Sequence, residues 1–254
     1  MNARLRLVTR ADDAGLNVGT NQGVCAAVKN GVARNVSVLA TGPSLEDAAE
    51  RLRGLDACFG FHACLNSEWL EPGWRPLTGD KRLMDARGRL PATWAALQAL
   101  NPSAEVVFPE MAAQLARLRE LGFPVRYMDE HMYFSSALPA LRPVLAEFAR
   151  SEGLIYRMEL PCLPVPAADK GKPDSSGCFL RRLQLAPSGT WLAINHPAID
   201  SPDMHAVREE RQPPGVIAAE RREQLRLFTD PAIITFLSGP SVRMLRYDEL
   251  ENTL

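Results

Sequence analysis

No stretch of the chain approaches the roughly 18 consecutive apolar residues of a membrane-spanning helix. Its opening, Met1-Asn2-Ala3-Arg4-Leu5-Arg6-Leu7, lacks the apolar core of a secretory leader. Together these absences lead us to expect a cytoplasmic protein without a membrane span. A basic tract is also missing: 29 Lys and Arg stand against 30 Asp and Glu, a formal net charge of −1. That balance argues against an extended nucleic-acid surface. Cysteine is sparse, and the five present (Cys25, Cys58, Cys64, Cys162 and Cys178) are odd in number with no C-x-x-C spacing. They read as reduced, mostly buried small apolar residues. Cys64 is notable only for lying two residues from His62. Histidine is scarcer still, at four in 254 residues.

Apolar residues make up 46% and charged residues 23% of the chain, the balance of a folded soluble domain rather than a disordered one. Apolar runs alternate with amphipathic stretches, which predicts βα units and a mainly parallel sheet. Strands are expected at residues 5–9, 36–40, 58–62, 125–129, 154–158, 191–195 and 233–236. Helices are expected at 20–30 (stopped by Gly31), from an N-cap at Ser44 to about 54, from Ser103 to 121, at 138–151 and at 215–228. Two stretches break the alternation. Residues 66–102 are polar and proline-punctuated and hold Trp69, Trp74 and Trp94, while 161–176 are rich in Pro, Gly, Lys and Asp and read as a loop or lid. The simplest organisation is one domain over 1–254 with insertions at about 66–102 and 161–176.

The chemistry concentrates at the expected strand ends. Asp12 and Asp13 are adjacent carboxylates leaving the first strand, and their like charges repel. A divalent cation resolves that conflict by binding one and leaving the other as a base. His62, His131 and His196 follow other strands, and carboxyl ends of parallel strands are where functional residues collect. Two imidazoles and a carboxylate form an open coordination set. Ligand type favours Zn²⁺, with Mg²⁺, Mn²⁺ or Co²⁺ also accommodated by mixed N/O donors. Asp129 suits hydrogen bonding to a ligand histidine, and His205 reads as a surface residue. Taken singly, each histidine also reads as a core residue and the Asp pair as a turn or helix cap. Only their joint placement points to an enzyme.

These motifs resemble a known family. Ala11-Asp12-Asp13-Ala14-Gly15-Leu16 followed by Asn21-Gln22-Gly23-Val24 is similar to the opening motif of the YdjC-like carbohydrate deacetylases, which include chitooligosaccharide deacetylases. Asn35 through Pro43, Gly60-Phe61-His62-Ala63-Cys64-Leu65, Met128-Asp129-Glu130-His131, Asn195-His196-Pro197 and Glu220-Arg221-Arg222-Glu223-Gln224-Leu225 match later segments in order. The resemblance implies a distorted (β/α) barrel, TIM-barrel-like and related to polysaccharide deacetylases, that hydrolyses an N-acetyl group from an amino-sugar or oligosaccharide. It also implies Asp13, His62 and His131 as ligands of one divalent metal, Asp12 as general base, His196 as general acid and Asp129 as the residue orienting the site. Three positions depart from the pattern: Ala14 replaces an aromatic, Met132-Tyr133-Phe134 replaces a region often holding another histidine, and Ala198 replaces glycine.

Substrate walls are expected from the insertions. Trp69, Trp74 and Trp94 would either stack on a pyranose or fold their insertion onto the barrel. A backbone N–H near Asn66 would help hold an oxyanion, and Arg75, Lys170 and Lys172 would meet a phosphate on an activated sugar. The rival readings are another metal-dependent hydrolase on this scaffold (a phosphoesterase or amidohydrolase) and a catalytically inactive sugar-binding module. Homo-oligomerisation is compatible with the sequence.

Overall fold

A computed structural model describes residues 4–165 and 175–250. Among the described residues, eight strands form one parallel sheet: β1 Leu5–Ala14, β2 Asn35–Val38, β3 Cys58–Ala63, β4 Val125–Glu130, β5 Ile155–Tyr156, β6 Leu163–Pro164, β7 Gly189–Asn195 and β8 Val242–Leu245. The order is β5-β4-β3-β2-β1-β7-β6, and β8 also pairs with β1. The terminal strands β5 and β6 do not pair with each other, which leaves the distorted (β/α) barrel open. With β7 along one edge of β1, β2 and β8 share the other edge end to end, β8 at residues 5–8 and β2 at residues 10–14. Asn35 fastens that junction. Its side-chain amide donates to the Thr9 and Leu245 carbonyls, and its oxygen accepts from the Tyr247 amide.

Strand alternation sorts the side chains. One set faces the helices and makes the large core, with Leu7, Ala11, Val36, Phe61 and Met128 among its members. The other set faces the barrel interior. Its lower part is an apolar plug of Val8, Cys58, Tyr127, Leu192, Leu245 and Tyr247. Gly60 makes room for this plug, since a Cβ there would lie 2.2 Å from the Tyr127 ring.

Most expected elements are present, with ends shifted by a few residues. Helices run Val18–Lys29, Leu45–Leu52, Ala104–Glu120, Arg142–Ser151 and Val216–Thr229. Ser44 and Ser103 occupy N-cap positions, but neither side chain makes the capping bond. The expected strand at 233–236 is instead part of helix Pro231–Leu237. The Asp230 carboxylate accepts from the Ala232 and Ile233 amides, and Pro231 begins the first turn. That start signal overrides a β-branched run. The last strand is β8, a few residues later, and the 66–102 insertion contains a helix, Trp94–Leu100. Among the described residues, no helix is long and apolar enough to cross a membrane.

Candidate active site

At the carboxyl end of β1 the pairing with β2 slips between Ala11 and Ala14, and Asp13 takes a left-handed backbone, φ 66°. A regular strand would send Asp12 and Asp13 to opposite faces. The slip and the positive φ bring both carboxylates to the barrel mouth, a strain that an aspartate tolerates better than most residues. The turn beyond is pinned by Asn21, whose side chain accepts from the Gly15 amide and donates to Asp47.

His62 and Asp129 are register partners on β3 and β4, and His62 Nδ1 lies 2.9 Å from Asp129 Oδ1. His131 follows directly after β4, with Nε2 2.7 Å from Glu68 Oε2. Each ring thus has one nitrogen committed to a carboxylate. The other nitrogens, His62 Nε2 and His131 Nδ1, lie 3.3 Å apart and 3.5 and 3.4 Å from Asp13 Oδ1. All three residues are buried, and their donor atoms cluster within 4.8 Å of one another.

Three groups without an assigned role in the sequence complete the network. Arg10, almost fully buried, grips Asp12 with Nε to Oδ1 at 2.6 Å and Nη2 to Oδ2 at 2.7 Å. Its Nη1 lies 2.6 Å from Asp129 Oδ2 and donates to the Tyr247 hydroxyl at 3.3 Å. The i, i+2 spacing of Arg10 and Asp12 on one strand face was the available signal. Arg221 Nη1 lies 2.7 Å from Asp13 Oδ2, with its guanidinium over the Trp69 ring. Glu68 is the third, and nothing local marks it.

The site residues meet around a cavity of about 330 Å³ lined by Arg10, Asp12, Asp13, His62, His131 and His196, among others. That is the small end of ligand-pocket volumes. His196 enters on the segment after β7, which helix Val18–Lys29 approaches so closely that a Cβ on Gly23 would lie 2.4 Å from Ala198 Cα. Its ring Nδ1 and backbone N–H both face Gln224 Oε1.

Of the remaining expected residues, Trp69 and Trp74 are 5% and 2% exposed and present no open face. Trp69 packs on Arg221, and Trp74 meets the His131 ring edge at 5.1 Å, so both fold the insertion onto the site. Trp94 is exposed and donates from Nε1 to the Met132 carbonyl. Asn66 is buried away from the cavity, its amide donating to the Pro91 and Thr93 carbonyls. Burial holds the Cys64 thiol well above its ordinary pKa, with no sign of a reactive thiolate. Arg75 is exposed, while Lys170 and Lys172 lie outside the described residues.

Burial alone would push the histidines toward neutrality. For His62 the Asp129, Asp13 and Asp12 carboxylates outweigh it and raise the pKa to about 9. For His131, Glu68 and Asp13 raise it to about 10. Burial opposes ionisation of Asp13, yet Arg221 and both imidazoles hold its carboxyl well below the usual range. His196 is held low, by burial first and Arg221 after it, despite the opposing pull of Asp13 and Asp12.

The charge count tests whether a metal fits. Among the described residues, Asp12, Asp13, Asp129 and Glu68 face two guanidiniums, Arg10 and Arg221, which leaves two negative charges in excess, while Glu130 on the same cavity is held by Ser135 and Tyr156. Two imidazolium ions balance them in the metal-free protein. One divalent cation with two neutral imidazoles balances them equally, and both Asp13 oxygens are buried without a hydrogen bond, Oδ2 having only its charge contact with Arg221. The residues fit such an ion.

The family model described as YdjC-like protein matches residues 6–239. The chain belongs to the YdjC-like family. A carbohydrate deacetylase of Vibrio cholerae serotype O1 (strain M66-2) is 28% identical over 268 residues, covering 97% of this chain and 96% of that protein. A carbohydrate deacetylase of Geobacillus stearothermophilus is 26% identical over 95% of this chain and 96% of its own length. In solved structures, the same fold occurs in a candidate cellobiose-phosphate cleavage protein of Enterococcus faecalis V583, with TM-score 0.80, 18% identity, and 98% and 99% of the two chains covered. A more distant match is a family 4 carbohydrate esterase from Streptomyces lividans, with TM-score 0.52, 10% identity, and 96% and 93% covered.

Proposed function

We propose that this protein is a carbohydrate N-deacetylase, hydrolysing the acetamide of an N-acetylated amino-sugar or oligosaccharide to acetate and a free amine. The observation that carries this reading is the buried Asp13–His62–His131 cluster, beside an uncommitted cavity that Asp12 and His196 also line. Full-length likeness to carbohydrate deacetylases supplies the substrate class.

Asp13, His62 and His131 would hold one divalent cation, Zn²⁺ by ligand type. Bound there, such an ion supplies Lewis-acid polarisation of the acetyl carbonyl and eases deprotonation of water. The chain's own groups do the rest. Asp12, oriented by the two-pronged grip of Arg10, takes the proton of the attacking water as its oxygen bonds to the acetyl carbon. Asp129 and Glu68 keep His62 and His131 turned toward Asp13. His196 is fixed through Nδ1 by Gln224, which leaves Nε2 to carry a proton to the amine nitrogen as the C–N bond breaks. The proton that Asp12 takes from the water is matched by the one that His196 delivers to the amine, so acetate and a free amine form without a net gain of protons.

The test is acetate release from N-acetylated mono- and oligosaccharides, with chelated and then Zn²⁺-restored protein, alongside phosphate release from simple phosphate esters. Metal-dependent acetate release is expected. Phosphate release without acetate would replace this reading with a phosphoesterase. Saccharide binding with neither product would leave only a binding module.

A further inference from the structure

The two oxygens of Asp13 stand in different surroundings. Oδ1 lies 3.5 and 3.4 Å from the free nitrogens of His62 and His131, whereas Oδ2 lies 2.7 Å from Arg221 Nη1. Arg221 reaches this place from helix Val216–Thr229, on the far side of β1 from the histidine strands. It is buried to 6% exposure, and its guanidinium lies over the Trp69 ring, 5.2 Å from the centroid. Trp69 is buried itself and comes from the insertion after β3. A guanidinium so held loses little further freedom in fixing a carboxylate oxygen.

We propose that Arg221 is a positioning residue that reserves Oδ2 of Asp13, so that this carboxylate meets the metal through Oδ1 alone, with Trp69 holding Arg221 in place. The inference rests on the metal reading above. A carboxylate otherwise binds a cation through one oxygen or both. Occupying Oδ2 keeps the coordination number low and leaves positions for water and the acetyl oxygen, the open arrangement a hydrolytic site requires. It also gives the insertion a part in the metal site. Trp69 steadies the guanidinium behind Asp13, while Glu68 and Trp74 of the same segment hold His131.

The test compares wild type, Arg221→Met and Arg221→Lys, each loaded with Co²⁺ for visible absorption and titrated with Zn²⁺ by calorimetry. In Arg221→Met both oxygens of Asp13 become available. The Co²⁺ d–d bands should weaken as the coordination number rises. Zn²⁺ affinity should be retained, because a donor is gained and a competing cation lost. Turnover on the N-acetylated substrate should fall about 10- to 100-fold with KM little changed. Arg221→Lys keeps a cation near Oδ2 and should keep the wild-type spectrum. A spectrum unchanged in Arg221→Met overturns the inference, as does a Zn²⁺ affinity that drops tenfold or more. A variant that does not fold is set aside for Trp69→Leu, which should give a weaker form of the same spectral change, and an unchanged spectrum there also overturns it. Wild-type protein that binds neither ion defeats the metal reading itself, a result separable from failure of the Arg221 assignment.

Discussion

The barrel interior has two halves built on the same strands. Below Arg10, Val8, Cys58, Tyr127, Leu192, Leu245 and Tyr247 pack as a buried apolar plug. A few residues further along those strands stand Asp12, His62, Asp129 and, just beyond β7, His196, all charged or titratable. Each strand crosses from one regime to the other within two to four residues: Val8 to Asp12, Cys58 to His62, Tyr127 to Asp129. The lower half is held by shape and loss of water, the upper half by matching of charge. The two are connected, because a floor that excludes water lowers the local dielectric and strengthens every ion pair above it. Arg10 marks the boundary, with the Tyr247 hydroxyl on one side and two carboxylates on the other.

The sharpest division should come from Asp12→Asn. It keeps the shape of the side chain, removes the proton acceptor and leaves Asp13, His62 and His131 in place. Turnover should fall about 10²- to 10⁴-fold while Zn²⁺ content stays near wild type. The melting temperature should drop, because buried Arg10 loses one of its two charge partners. Acetate-release kinetics beside metal analysis measure this, and near-normal turnover would remove Asp12 from the role of base.

pH separates the halves next. In the metal-free protein His62 and His131 have pKa values raised to about 9 and about 10 from an ordinary 6.5. A raised histidine pKa stabilises the fold fully below the unfolded value and loses that contribution as pH climbs through the folded one. Metal-free protein should therefore lose stability between about pH 6.5 and 10, while protein saturated with Zn²⁺ loses far less, its imidazoles being neutral already. Urea midpoints across that range decide it. Parallel curves would show that these charges are not matched as the geometry indicates.

The plug answers to volume instead. Leu245 is fully buried beside Val8, and Leu245→Ala should cost about 2–5 kcal/mol of stability. Turnover below the new melting temperature should stay close to wild type. A large loss of turnover with little loss of stability would mean that the floor shapes the site directly.

How much of this division could be read in the sequence depends on the range of the signal. Strands β1, β3, β4 and β7 end in polar motifs directly after apolar runs, so the convergence of Asp12, Asp13, His62, Asp129, His131 and His196 followed from topology. The run Ile233-Ile234-Thr235-Phe236 misled because β-branched composition outweighed the Asp230-Pro231 helix start. Val242–Leu245 escaped notice because a four-residue strand of mixed polarity acquires its meaning only from β1, far away in the chain. Glu68 was illegible for the same reason, and Arg221 was legible as part of the matching segment 220–225 but not as a partner of Asp13. A lone charged side chain carries no period or local spacing, and its partner is set by the fold. The tryptophans were legible as important but not as to which face they show.

The smallest expected effect falls on the boundary itself. Tyr247 belongs to the plug by its ring, which lies 4.4 Å from that of Tyr127, and to the site by its hydroxyl, which accepts from Arg10 Nη1. Burial, and Asp129 and Asp12 against the opposing pull of Arg10 and Arg157, keeps that hydroxyl protonated, so it bonds as a neutral group. Tyr247→Phe preserves the packing and removes one long hydrogen bond from a guanidinium that retains both carboxylates. The cost should be about 0.5–1.5 kcal/mol, with kcat and KM nearly unaltered. If turnover falls as steeply as in Asp12→Asn, Arg10 depends on the plug for its aim and the halves are not separable. If stability and turnover both hold, the boundary lies at Arg10, and the carboxylates alone fix its position.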